Sequence, residues 1–194
     1  MLDAARDLLL EQGSGSATVE AIAGLSGAPT GSIYHRFGSR DGLVARLWVR
    51  AVRRSQASFL AALDEDDPRA AALAAALSIL EFCEQEPEDA RLLVSFRRED
   101  LLRTAPSGQL ADELEALNRP LEAAVVTLAR RLYGRPTRAT VNRTLLAVFD
   151  LPYGAARRHL IAGTELPPGL QDDVARAVRA VLGATGPRRA TGKR

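Results

Sequence analysis

The chain has 194 residues and is rich in Ala, Leu, Val and Arg, with 46% hydrophobic and only 5% aromatic residues, a composition that favours helices. Its longest unbroken apolar run, residues 70–77, is too short to cross a membrane, and Asp3 and Arg6 lie where a signal peptide needs apolar residues. The single cysteine, Cys83, excludes an intramolecular disulfide and a Cys-rich zinc site, so the sequence predicts a cytoplasmic protein.

Positive charge is unevenly distributed along the chain. The formal net charge is +2, but four basic residues lie in the tail at residues 185–194, which is predicted to be disordered. Residues 1–54 contain seven arginines against five acidic residues, whereas residues 55–184 contain fifteen arginines against nineteen. Within residues 36–54 there are six arginines and a single acidic residue, Asp41. This local excess favours contact with phosphates more than the net charge does.

Hydrophobic spacing predicts four helices in the first third of the chain, and no stretch shows the alternation of a half-buried strand. Each predicted boundary is a residue that caps or breaks a helix: Gly13, Thr18, Gly27, Pro29, Gly38 and Ser39. The second helix turns Val19 and Ile22 inward, and the third places Ile33 and Phe37 on one face. The fourth helix is predicted to run to about Leu63.

After an acid-rich turn at residues 64–68, the remaining chain is also predicted to be helical. The predicted helices span approximately residues 69–84, 88–105, 109–133, 137–163 and 168–183. Pro120 predicts a kink in one of them, and Pro152 a kink or break in another. The last helix carries an apolar stripe, which suits either a dimer interface or the protein's own core: Leu170, Val174, Val178, Val181 and Leu182. The predicted fold class is all-α, with about nine helices.

The spacing of residues 18–37 is typical of a helix-turn-helix. A small residue, Ala23, stands where the second helix would cross the third, and Gly27 follows four residues later in the turn. Apolar groups that would hold the two helices together are Val19, Ile22, Ile33 and Phe37. Such a pair places the N-terminus of its second helix in the major groove of DNA.

Over residues 2–48 the sequence resembles the TetR family of one-component transcriptional regulators. The resemblance is carried most specifically by the pattern Gly-Ser-Ile-Tyr-x-x-Phe-x-Ser-Arg-Asp-x-Leu at residues 31–43. It departs from the family at Arg40, where Lys is usual, and at Pro29, where Ser or Thr is usual. The resemblance implies a helix-turn-helix DNA-binding domain at residues 1–45 and a helical-bundle ligand-binding and dimerisation domain at 46–184, which the basic tail at 185–194 follows.

Seven residues are candidates for DNA contact: Thr18, Thr30, Gly31, Ser32, Tyr34, His35 and Arg40. The residues at 30–32 open the third helix, where they can reach base edges, and Gly31 has no side chain to hold the helix off the DNA. Tyr34 and His35 offer polar tips suited to phosphate, although Tyr34 could instead cover the edge of the small core. Thr18 and Arg40 lie at helix N-termini, which favour phosphate. The resemblance also implies DNA contact by five of the seven: Thr18, Thr30, Tyr34, His35 and Arg40.

In the second domain, four aromatic residues are candidates for lining a ligand pocket: Phe82, Phe96, Phe149 and Tyr153. Spacing alone does not distinguish a hollow pocket from a filled core, and Cys83 is predicted to be a small core residue. Arginines 46, 50, 53 and 54 share one helix face, which is more typical of a solvated surface than of a binding site. With only His35 and His159 and no catalytic constellation, we expect no enzyme activity, no cofactor and no metal site.

The resemblance implies a regulator, expected to be a repressor, that binds a palindromic operator in double-stranded DNA as a homodimer and is released by a small-molecule effector. The dimer would form through the helices at residues 137–163 and 168–183. The alternative is a helical small-molecule-binding module without sequence-specific DNA binding. An enzyme is the least favoured class.

Overall fold

A computed structural model describes residues 2–12, 18–104 and 108–183, and within these ranges the chain is helical with no strand. The predicted all-α fold class is therefore confirmed. The predicted helix end at Gly13 with the turn that follows it, the turn residues 106 and 107, and the tail at 185–194 lie outside the described residues. None of the described helices combines the length and the apolar composition that a membrane-spanning helix requires.

The N-terminal third contains α1 (Leu2–Gln12), α2 (Val19–Ser26), α3 (Thr30–Phe37) and α4 (Arg40–Ala61), and a short 3-10 helix (Ala62–Asp64) follows α4. The two predicted caps are confirmed. The Thr18 side chain accepts a hydrogen bond from the backbone N–H of Ala21 at 3.2 Å, and Ser39 accepts one from Gly42 at 3.0 Å. Gly27 ends α2 with a φ of +66°, a left-handed conformation that glycine adopts without a steric penalty.

The remaining chain contains α5 (Pro68–Gln85), α6 (Pro87–Ser95), α7 (Arg98–Thr104), α8 (Gln109–Ala116), α9 (Arg119–Tyr133), α10 (Arg138–Leu145), α11 (Leu151–Ala162) and α12 (Leu170–Gly183). Two segments predicted as single helices are each divided. Extended backbone at Phe96 separates α6 from α7. Pro120 is the second residue of α9, so it begins a new helix instead of kinking a continuous one.

Pro152 neither breaks nor ends its helix. Five residues of π-helix, Leu146–Asp150, join α10 to α11, and the N–H of Leu151 bonds to the carbonyl of Leu146. Pro152 has no N–H to donate to the carbonyl four residues earlier. The wider turn therefore precedes the proline at the point where the regular α-helical hydrogen-bond pattern would fail.

The buried side chains form two clusters that share α4. The first joins α1, α2, α3 and the N-terminal half of α4 to Leu92, Leu101 and the apolar residues of α8. The second joins Phe59 near the end of α4 to α5, α9, α11 and α12. Because α4 contributes to both, it connects the N-terminal helices to the larger bundle. The domain division near residue 45 stays a prediction.

The apolar stripe of α12 belongs to the second cluster. Val174, Val178 and Leu182 are buried there, and α12 packs against α5. Of the two interpretations of this stripe, the structure therefore favours the protein's own core over the dimer face.

Candidate nucleic-acid interface and internal cavity

Helix α3 buries one face and leaves the other open. Ile33 and Phe37 lie one helical turn apart and are almost fully buried against α2 and α4. The opposite face exposes Gly31, Ser32, Tyr34 and His35, while Thr30 at its start is half-buried. Tyr34 has 47% of its surface accessible, so the small core does not enclose its ring. The five candidates on α3 therefore lie together on or beside one open face.

The start of α3 presents unused backbone donors to this open face. Its cap is Pro29, whose carbonyl accepts hydrogen bonds from Ser32 at 2.9 Å and Ile33 at 3.4 Å but whose side chain makes none. The first N–H groups of a helix have no intrahelical acceptor, and they favour an anion. A Cβ placed on Gly31 would meet no other atom within 4 Å, so packing within the chain does not require a glycine there. A partner that approaches the backbone closely would require a glycine at this position.

The two flanking helix starts keep chemistry that suits phosphate. The Thr18 hydroxyl is exposed and uses its oxygen as the cap of α2, so its O–H remains able to donate. Arg40 opens α4 and pairs with its neighbour Asp41 at 3.4 Å while remaining partly exposed. A phosphate would have to share the Arg40 guanidinium with that carboxylate.

The fold requires a glycine at position 42, which the sequence pattern at residues 31–43 leaves unspecified. A Cβ there would lie 2.1 Å from the carbonyl oxygen of Phe37, an impossible contact. The end of α3 therefore rests directly on the first turn of α4, and this contact sets the angle at which α3 is presented. A glycine in the first turn of a helix, where it costs stability, was the available signal.

The arginine excess of residues 36–54 is directed mainly at the protein itself. Four of its members form the arginine stripe of α4: Arg46, Arg50, Arg53 and Arg54. Arg46 and Arg53 pair with Glu113 of α8, at 2.5 and 2.7 Å. Arg50 pairs with Asp3 of α1 at 2.8 Å. Arg54 pairs with Asp89 of α6 at 2.6 Å and also with Glu86. The charges of the stripe therefore bind carboxylates on three other helices, and its side chains also stay partly solvated, as predicted, with that of Arg53 63% exposed. This pairing within the protein does not support a phosphate-binding patch at the stripe.

Asp89 is the centre of this ion-pair network. Its side chain is fully buried and lies 2.9 Å from Arg6 of α1, 2.6 Å from Arg54 and 3.8 Å from Arg50 of α4. A buried carboxylate needs such partners, because a buried charge that has lost its hydration and has no partner is strongly destabilising. The next residue, Ala90, lines the internal cavity described below. Asp89 thus joins the cavity wall to the first and fourth helices.

Two ionisable groups at this junction have shifted pKa values. The hydrogen bond from Arg50 lowers the pKa of Asp3, although partial burial opposes it. Burial lowers the pKa of Arg6, but hydrogen bonds to Asp89 and Asp7 outweigh it, and the net pKa is raised. Both shifts favour the charged forms that the network requires.

A cavity of about 480 Å³ lies between α4, α5, α6 and the helices from α9 to α11. Of the predicted pocket residues, Phe82, Phe149 and Tyr153 line it. Phe96 does not, and it packs against the first cluster instead. Sequence reasoning missed the largest contribution, which comes from α4: Trp48, Val52, Ser55, Gln56 and Phe59. Their spacing of three to four residues marks one helix face, but spacing does not show that the face meets a hollow.

The cavity wall is apolar with a few polar groups. The rings of Phe149 and Tyr153 stack with their centroids 5.7 Å apart. Gln56 donates to the carbonyl of Leu117 at 3.0 Å and to the side chain of Asn118 at 3.3 Å, so these amides are already paired. Cys83 is buried and also lines the cavity, and burial, with a smaller contribution from Glu84, raises its pKa to about 11. The thiol is therefore neutral at physiological pH and acts as an apolar group, as predicted.

The N-terminal helices match a known family of regulators. Residues 1–47 match the sequence description of bacterial regulatory proteins of the tetR family. A comparison with curated protein sequences found no match.

The fold as a whole is similar to solved structures of the same family. The TetR family transcriptional regulator PfmR from Thermus thermophilus aligns with a TM-score of 0.71 at 16% identity, covering 94% of this chain and 96% of that one. The fatty acid degradation regulator FadR from Bacillus halodurans aligns with a TM-score of 0.71 at 16% identity, covering 96% and 97%. A TetR-like transcriptional regulator from a Rhodococcus species aligns with a TM-score of 0.67 at 18% identity, covering 94% and 91%. At these identities the likeness shows the fold.

The predicted resemblance is thereby confirmed: residues 1–47 match the tetR family of bacterial regulatory proteins, and the fold of the whole chain is similar to that of solved TetR-family transcriptional regulators.

Proposed function

We propose that this protein is a one-component repressor that binds a palindromic operator as a homodimer and is released by a small-molecule effector. The observation that carries the proposal is the open face of α3, which presents Gly31, Ser32, Tyr34 and His35 above a buried Ile33–Phe37 pair. Thr18, Thr30 and Arg40 flank this face, at or next to helix starts. In this arrangement residues 30–32 read base edges, and the other four candidates hold the phosphates.

Homodimer formation follows from the size of a single α3, which covers only a few base pairs. Two copies one DNA turn apart would read both halves of a palindrome. We assign the contact to α11 and α12 with the segment before α11, as the family resemblance implies. Since the apolar stripe of α12 is used internally, the exposed Leu146 and Ile161 are the better anchors. Ile161→Arg is expected to convert a dimer to a monomer in analytical ultracentrifugation, and an unchanged mass would remove this face from the interface.

Release by an effector is supported by the position of the cavity. Its wall includes Trp48 and Phe59 of α4, and the same helix carries the Gly42 contact that orients α3. Its wall also includes Ala90, next to Asp89, whose arginine partners lie on α1 and α4. An effector that separates α6 from α4 would therefore move the N-terminal helices. It acts only if its affinity differs between the two arrangements.

The decisive experiment titrates the protein against the DNA immediately upstream of its own gene and against a scrambled fragment, at several salt concentrations. Preference for the upstream fragment by about a hundredfold or more, decreasing with salt, supports a sequence-specific regulator. Equal, weak binding to both fragments is the contrary result for this operator. If Tyr34→Ala and Arg40→Ala then leave that weak binding unchanged, neither α3 nor the start of α4 contacts DNA.

A second candidate is a helical small-molecule-binding module without sequence-specific DNA binding. Both candidates would act in the cytoplasm. The cavity favours it, because a cavity of this size is sufficient for binding a small molecule whatever α3 does. Ligand binding without any DNA preference would select this candidate.

A further inference from the structure

We propose that the effector is an apolar organic cation, with its body in the cavity and its positive charge beside Glu122 and Asp150. The inference rests on the proposed function, because it assumes that the cavity is the effector site. It concerns the charge and polarity of the ligand, which can be measured without DNA.

The charge of the cavity lining is the first argument. Glu122 and Asp150 both line the cavity and are solvent-exposed, so they lie where it opens to solvent. Among the described residues that line it there is no Arg, Lys or His. Neither carboxylate has an ion-pair partner within the described parts of the chain. This contrasts with Asp89 and Glu113, which are each held by two or more arginines.

The second argument is the aromatic pair beside Asp150. Phe149 and Tyr153 stack with an angle of 15° between their ring planes, and both line the cavity. The face of an aromatic ring attracts a cation, and the attraction grows as the cation is desolvated. The π-helical segment and the start of α11 thus bring a carboxylate and two aromatic rings to the same cavity.

The third argument is the apolar character of the deeper wall. Trp48, Phe59, Ile79, Phe82 and Leu93 contribute to it, and the Cys83 thiol stays neutral. A volume of about 480 Å³ suits an alkyl or aromatic body of small-molecule size. An anionic head on the same body would meet two carboxylates and no cation, and an uncharged hydroxyl head would gain at most a hydrogen bond from them.

Three probes that share one apolar body test the charge preference. Decyltrimethylammonium, decan-1-ol and decanoate have alkyl bodies that differ by at most one methylene and carry different head groups, and each is titrated below its micelle concentration. Trp48 is the only tryptophan in the chain and lines the cavity, so its fluorescence reports binding, and calorimetry gives the affinity. We expect the ammonium probe to bind at least tenfold more tightly than decanoate, with decan-1-ol between them.

Matched variants locate the charge. The double variant Glu122→Gln, Asp150→Asn is expected to weaken the ammonium probe by about tenfold or more and to leave decan-1-ol within twofold. Glu165→Gln, an exposed acidic residue that does not line the cavity, is the control and should change neither affinity.

Three results would overturn the proposal: decanoate binding as tightly as the ammonium probe, a double variant that keeps the full ammonium affinity, or no binding by any of the three probes. DNA affinity measured on the same preparation separates this failure from failure of the proposed function. Intact operator binding with a wrong charge preference rejects only the effector class, and cation binding without operator binding rejects only the repressor.

Discussion

The open face of α3 and the arginine stripe of α4 are both polar helix faces in the N-terminal part of the chain, but of the two only the stripe forms ion pairs with other helices that the structure describes. On α3 the polar side chains stand clear of the rest of the protein, with Tyr34 nearly half exposed and open space around Gly31. On α4 the four arginines reach carboxylates on α1, α6 and α8. The α4 stripe is therefore occupied mainly by the protein's own carboxylates, whereas the side chains of the α3 face remain open to a partner.

The difference assigns separate tasks to the two faces. Under the proposed function the α3 face contacts DNA, since its exposed side chains leave it open to a partner. The stripe instead connects the N-terminal helices to the bundle that contains the cavity, through the fully buried Asp89. Variants in the stripe should therefore alter stability and response to effector, while variants on α3 should alter DNA affinity.

The largest expected effect is that of Asp89→Asn. Removing this buried charge leaves Arg6 and Arg54 without their shared carboxylate, and we expect the free energy of unfolding to fall by about 2–3 kcal/mol, below the range for a fully buried pair because Arg54 is partly exposed. Urea denaturation followed by circular dichroism measures it. Asp7→Asn is the matched control, since Asp7 also pairs with Arg6 but is half exposed, and it should cost less than about 1 kcal/mol. Equal costs for the two variants would show that Asp89 is not the centre of the network.

The next effect compares two glycines with opposite surroundings. Gly42→Ala places a methyl group against the carbonyl of Phe37, and we expect a loss of about 2 kcal/mol in unfolding free energy. Gly31→Ala has open space and a helical position, so it should stabilise α3 by up to about 1 kcal/mol. The same methyl group should nevertheless weaken operator binding. Thermal unfolding and DNA titration of both variants check the signs, and a Gly31→Ala variant with undiminished DNA affinity would place that face away from the DNA.

Tyr34→Ala should leave stability within about 0.5 kcal/mol, because its ring is not enclosed by the core. It should weaken operator binding about tenfold, equivalent to about 1.4 kcal/mol. Tyr34→Phe separates the hydroxyl from the ring, and an equal loss would assign the effect to the hydroxyl. Fluorescence anisotropy with a labelled operator gives the affinities. A large stability loss with Tyr34→Ala would instead support a structural role at the edge of the core.

The smallest expected effect is on the salt dependence of DNA binding, which distinguishes an arginine that contacts phosphate from one that pairs within the protein. Arg40→Ala should reduce the slope of log affinity against log salt by about 1, as expected for one lost phosphate contact. Arg53→Ala should leave the slope unchanged, because Arg53 is bound to Glu113 on the protein itself. Titrations at four salt concentrations measure both slopes. A reduced slope for Arg53→Ala would show that the stripe also reaches DNA and would remove the distinction between the two faces.

Much of the N-terminal third follows from local sequence. The Thr18 and Ser39 caps, the left-handed Gly27 and the pairing of Ile33 with Phe37 all depend on residues within a few positions of one another. Helix-breaking residues were harder to interpret. Pro120 and Pro152 were correctly identified as disturbances, but one begins α9 and the other follows a π-helical turn. A proline specifies a missing N–H, and neighbouring helices determine how the chain accommodates it.

Local sequence was sufficient to specify the helix-turn-helix, its resemblance to the tetR family and the side chains that α3 exposes, because capping, turn geometry and helical periodicity act over short distances. Packing in three dimensions was needed to establish that the arginine stripe is neutralised, that Phe96 lies outside the cavity and that Trp48 lies in its wall. These outcomes depend on pairs such as Arg46 with Glu113, which are 67 positions apart. Charge pairing and cavity formation depend on distances in space, and those distances exist only after the helices have packed.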